Sequence, residues 1–137
     1  MKVINAEGHI LGRLASVVAK DLLKGEEIRI VNADRCIVTG KRKMILARYR
    51  KKRDLTHRRK GPFFPKRSDR IVKRTVRGML PMKKNKGKDA LKRLKVFVKV
   101  PKALLKEKMI KIEIASELNS PSFMELGDLA RLIGSKE

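Results

Sequence analysis

The side chains in this sequence best placed to do chemistry are cations, and they are gathered in its middle. Residues 41–95 hold twenty-four Lys and Arg against Asp54, Asp69 and Asp89, a net charge of +21, whereas residues 1–40 and 96–137 each net only +1. A segment of that density repels itself unless a polyanion neutralises it, and a merely solvated face ordinarily mixes both signs. Nucleic acid is the expected partner. Lys and Arg neutralise phosphates and release counterions, and Arg adds planar stacking and bidentate contacts. The candidate binding residues are Lys41, Arg42, Lys43, Arg48, Arg50, Lys51, Lys52, Arg53, Arg58, Arg59, Lys60, Lys66, Arg67, Arg70, Lys73, Arg74, Arg77, Lys83, Lys84, Lys86, Lys88, Lys92 and Arg93. Phe63 and Phe64, with Tyr49, are interleaved among them. Such rings either stack on unpaired bases or anchor their segment to the core.

Catalysis finds no comparable set. The turn Gly8-His9-Ile10-Leu11-Gly12 is not a dinucleotide fingerprint, and Asp34 is a poor match for its ribose-binding acid. Gly40-Lys41 looks like the end of a phosphate-binding loop, but Arg42 replaces the needed Ser or Thr and Arg35 stands where the first Gly belongs. His9 and His57 lie far apart with no nucleophile or carboxylate pattern around either, so His9 reads as a helix-start or packing residue. Glu113 and Glu117 read as a solvated pair beside Lys111. Cys36 is the one cysteine, closes no internal disulfide and reads as a buried inert thiol. No enzyme activity, cofactor, metal or small-molecule substrate is expected.

These cations need a body to carry them. A chain of 137 residues with 42% hydrophobic content suits one domain with a real core, filled by Leu, Ile, Val and Met because Trp is absent. No apolar run approaches the roughly 18 residues that span a bilayer, and no signal-like start is seen, so a cytoplasmic setting without a membrane partner is expected. A short strand at 3–5 leads to a helix over 11–24, on which Leu11, Leu14, Ala15, Val18, Ala19 and Leu22 share one face before Gly25. Strands at 28–31 and 36–38 follow, and this β-α-β opening predicts a largely parallel sheet with helices packed on it. Thr39 is the expected cap of a helix over 41–53 with Met44, Ile45, Ala47 and Tyr49 as its apolar members. Residues 54–67 lose all periodicity around Gly61, Pro62 and Pro65. A helix from Ser68 and Asp69 to Pro81 then turns Ile71, Val72, Thr75, Val76 and Met79 inward, with Arg70, Lys73, Arg74 and Arg77 on a neighbouring stripe. A lysine-rich turn over 82–88, a helical turn over 89–93, strands over 94–100 and 110–114, and a Ser122/Glu125 capping box before a final helix complete the expectation.

Residues 76–98 read VRGMLPMKKNKGKDALKRLKVFV. This stretch resembles the signature of the universal ribosomal large-subunit protein thirteen family: a basic-Gly-Met-Leu-Pro segment, a basic spacer ending in Gly, then a strand. INAEGHILGRLAS and VNADRCIVTGKR are similar to the family's opening, while RKGPFFPKRSDRIVKRTVRGMLP and ELGDLARLIG resemble its archaeal form. One departure is Lys99, where the signature commonly ends in a small or polar residue. The resemblance covers essentially the whole chain as a single domain. It implies a three-layer α/β/α fold with a small, mostly parallel sheet and a basic RNA-binding extension over 41–95. It further implies a structural constituent of the large ribosomal subunit that binds large-subunit ribosomal RNA during assembly, neighbours other large-subunit proteins, and catalyses nothing. The RNA-contact role carries over to the basic residues flanking Gly78 to Pro81 and those around Gly61 and Pro62. In that picture the flanks build the body and the middle grips RNA.

Overall fold

The β-α-β opening forms as the apolar periodicity requires. In the computed structural model, which describes residues 1–136, β1 (Lys2–Asn5) leads into α1 (Leu11–Leu23) and β2 (Ile28–Val31) returns parallel to β1. All six apolar positions expected on the inner face of α1 are buried, with Leu14, Val18 and Leu22 fully so. Side chains of that size each contribute about 1.5–3 kcal/mol when fully removed from water. β4 (Leu94–Val96) pairs parallel with β2, and β5 (Met109–Ile110) pairs parallel with β1, giving the order β4-β2-β1-β5.

Alternation along the strands divides the interior. Ile4, Ile28, Ile30 and Leu94 join the main core with α1, α3 (Ser68–Gly78), α4 (Asn85–Lys92) and α6 (Leu126–Leu132). Val3 and Val31 form a smaller cluster with Leu104, packed by Phe97, Val100 and Met109. The third layer is thus thin, a connection over 97–109 with one 3-10 turn at Lys102–Leu104. α2 (Arg42–Asp54) reaches this core only through a narrow seam that includes Ile45 and Tyr49. The basic middle is more than an appendage, because Ile71, Val72, Val76, Leu80, Ala90 and Leu94 belong to the main core.

Several expected boundaries move. The strand expected over 94–100 ends at Val96; Phe97 still donates its N–H to Ile30 O at 2.8 Å, and the chain then leaves to cover the far face. The strand expected over 110–114 is only Met109–Ile110. Ile112 N–H is taken by His9 Nε2 at 2.8 Å, and Glu113–Ser116 forms the short helix α5. Ser122 and Glu125 make no capping box, because Phe123–Glu125 is β6, antiparallel to β3 (Ile37–Thr39). Thr39 likewise lies in β3, and Lys41 precedes α2 without any side-chain cap. Half of the lysine-rich turn is already helix, as α4 begins at Asn85.

Candidate nucleic-acid interface

Three basic elements approach one another on the helical side. On α2 the buried seam is Ile45 and Tyr49, one residue per turn, too narrow for the expected Met44 and Ala47; Met44 is 64% exposed. Lys41, Arg42, Lys43, Arg48, Arg50, Lys51 and Lys52 all stay exposed. Arg53 is half-buried and pairs through Nε with Asp54 at 3.0 Å.

The segment after α2 builds its own turn. His57 and Gly61 exchange backbone hydrogen bonds of 3.2 and 2.9 Å, and His57 Nδ1 accepts from the N–H groups of Arg59 at 3.3 Å and Lys60 at 3.4 Å. Arg58, Arg59 and Lys60 are left exposed. The two rings that follow divide their work. Phe64 is half-buried and meets Tyr49 edge-on at 5.8 Å, with Lys52 Nζ 5.0 and 5.3 Å from the two ring centres. It anchors the segment to α2. Phe63 is 62% exposed.

α3 supplies the facing wall. Arg67 precedes the helix, and Ser68, where the helix was expected to begin, is buried inside the first turn, where Asp69 accepts a 2.9 Å bond from Arg70 N–H. Ile71, Val72 and Val76 hold the helix to the body. Met79 does not; the helix stops at Gly78, Met79 is 42% exposed, and Leu80 turns in instead. Arg70, Arg74 and Arg77 are exposed and Lys73 half-buried, and no acid among the described residues pairs with any of the four.

Between α3 and the segment lies a groove of about 700 Å³. Arg53, Lys66, Arg67, Arg70, Lys73, Arg74 and Arg77 line it, together with Phe63, Phe64, Pro65, Thr56 and Leu91, and no acid. Arg74 reaches across it and donates to Phe63 O at 3.3 Å. Seven cations around one apolar floor can hold phosphates and an unpaired base together. Thr56, Pro65 and Leu91 escaped the sequence reading because they carry no charge; only their packing reveals them.

The remaining candidates do not line the groove. Lys83, Lys84, Lys86, Lys88 and Lys92 are exposed on α4 and its approach, with Lys92 near Asp89 at 3.8 Å. α4 sits tightly on the Gly78 to Pro81 turn: a Cβ on Gly87 would lie 2.2 Å from Pro81 O. Arg93 serves the body, donating from Nη2 to Leu22 O at 2.7 Å at the end of α1. A further lysine run, Lys95, Lys99, Lys102, Lys106, Lys108 and Lys111, is exposed outside the groove. From Lys99 onward it was hidden in the flank's near-neutral total.

Elsewhere the polar groups serve packing. His9 is fully buried, with Nδ1 donating to Glu7 O at 3.1 Å and Nε2 accepting from Ile112; burial pulls its pKa below the ordinary 6.5. Cys36 donates to His9 O at 3.2 Å, and burial pushes its thiol up to about 12. Among the described residues no three His, Cys, Asp or Glu side chains gather as a metal site, and no helix is long and apolar enough to cross a membrane.

Comparison with known proteins identifies the family. Residues 1–103 of the 137 match the family described as ribosomal protein L13. The chain is 51% identical over 139 aligned positions to large ribosomal subunit protein uL13 of Methanosarcina barkeri, which covers 99% of both chains. It is 48% identical to that of Methanococcoides burtonii, again over 99% of both, and 46% identical to that of Archaeoglobus fulgidus, over 96% of this chain and 86% of the other. The chain belongs to the ribosomal protein L13 family, whose members are structural and non-enzymatic constituents of the ribosome.

Proposed function

We propose that this protein is a structural constituent of the large ribosomal subunit that binds and stabilises large-subunit rRNA during assembly, in the cytoplasm and beside other large-subunit proteins. The observation that carries the reading is the groove on α3, where seven cations, five of them without an ion-pair partner among the described residues, meet an exposed ring. Phosphates satisfy such a surface, and the free cations of α2 and α4 extend it on either side. The relatives' names, each a large ribosomal subunit protein, support the placement.

Two measurements test it. Sedimentation of cell lysate should carry the protein with the large subunit; its absence from that fraction refutes the placement. Binding to structured rRNA fragments should fall with salt at a log–log slope of magnitude about five or more, since each neutralised phosphate adds nearly one to the slope. A slope near zero, or tighter binding to duplex DNA at equal salt, would defeat the RNA reading.

A further inference from the structure

Phosphate contacts alone leave Phe63 unexplained. Its ring stays 62% exposed inside a groove otherwise rimmed by cations, although the neighbouring Phe64 shows that this segment can bury an aromatic against α2. The ring is also held in place. Gly61 has φ +76°, and a Cβ there would lie 3.1 Å from Phe63 Cδ2 and Cε2, so the ring rests on a glycine that leaves it room. Arg74 fixes the carbonyl of Phe63, and Phe64 pins the next residue. An exposed aromatic ring on a backbone tied at both neighbours is prepared for a flat partner, because less freedom remains to be lost on binding.

We infer that Phe63 is a stacking platform for one unpaired nucleobase, so that the groove takes a bulged or looped nucleotide, with Arg70 and Arg74 holding the phosphates beside it. This rests on the reading of the groove as an RNA site. A paired base in a duplex presents no free face to such a ring, whereas an unstacked one does. An acidic protein segment would satisfy the cations but has no use for the ring.

The test uses the full chain and two hairpin RNAs of the same stem, one fully paired and one carrying a single-nucleotide bulge with 2-aminopurine at the bulge, at equal salt. The parent protein should prefer the bulged hairpin by about tenfold and change its emission on binding. Phe63→Ala and Phe63→Leu should bring the ratio near one, and Phe63→Tyr should keep the preference. Gly61→Ala should weaken it, by crowding the ring. A preference that survives Phe63→Ala, or is absent from the parent, overturns the platform. Those results leave salt-dependent binding to the paired stem intact, so they are distinguishable from failure of the RNA reading itself, in which neither hairpin binds.

Discussion

The ion pairs of the flanks and the basic face of α3 treat charge in opposite ways. In the flanks Lys2 meets Asp21 at 3.3 Å and Glu26 at 2.6 Å, Arg35 meets Glu7 at 2.7 Å, and Arg131 meets Asp128 within its own helix. On α3, Arg70, Lys73, Arg74 and Arg77 meet no described acid. Exposed ion pairs contribute roughly 0–1 kcal/mol each, so the flanks gain little stability from theirs. What the pairing does is silence charge, and where it is missing the field stays open to a polyanion. Both regions nevertheless share one core, since Val72 and Val76 pack in the same cluster as Leu14 and Val18. Position on a helix, more than position in the chain, separates the two tasks.

That separation can be broken from the outside. Combining Arg70→Glu, Arg74→Glu and Arg77→Glu should weaken rRNA binding by about 4 kcal/mol, roughly a thousandfold, because three attractive contacts become repulsive. The urea midpoint should barely move, as exposed surface changes seldom shift stability by more than about 0.5 kcal/mol. Undiminished binding, measured by filter retention, would mean that RNA reaches the cations through another face. From the inside the expectation reverses. Val76 is fully buried, so Val76→Asp should cost about 3 kcal/mol of unfolding free energy in a urea titration, whereas the fraction still folded should bind RNA normally.

Gly87→Ala sharpens the comparison at the seam between regions. The added methyl would lie 2.2 Å from Pro81 O, a backbone atom that cannot swing aside. A loss of about 2 kcal/mol is expected in the same titration, and an unchanged midpoint would show that α4 slides freely. The smallest effect concerns His9. The folded protein keeps the ring neutral, while the unfolded chain binds a proton below about pH 6.5. Stability should therefore be full above that pH and decline as pH falls through it. Glu7, held below its ordinary 4.5 by Arg35, changes only at lower pH, so urea midpoints at pH 7.5 and 5.5 are to be compared in the parent and in His9→Gln. The decline should vanish in His9→Gln.

Elements that carry their own instructions were legible in the sequence. The face of α1, the strand at 28–31 and the two stripes of α3 each follow from spacing within the element, and the cationic block needed only counting. Where the deciding partner is remote, the reading slipped. Ile110, Ile112 and Ile114 alternate like a strand, yet the backbone of Ile112 is claimed by His9, over a hundred residues earlier. Ser122 and Glu125 have the spacing of a helix cap, but β3 recruits Phe123–Glu125 as a strand. Among the candidate residues the charge pattern named the right stretch but could not tell Arg74, on the groove, from Arg93, tied to the end of α1. Nor could it separate Phe63 from Phe64, which differ only in which ring Tyr49 receives.

The position of β1 between β2 and β5 sets a schedule for the newborn chain. Val3 waits for Met109 before the sheet has its final strand. At a synthesis rate of roughly 5–20 residues per second, residue 41 is made about 3–14 s before that strand. Throughout that interval the cationic stretch grows beside an unfinished sheet. The hazard for this protein is therefore one of timing: its attraction for anions is switched on before the body that disciplines it is complete.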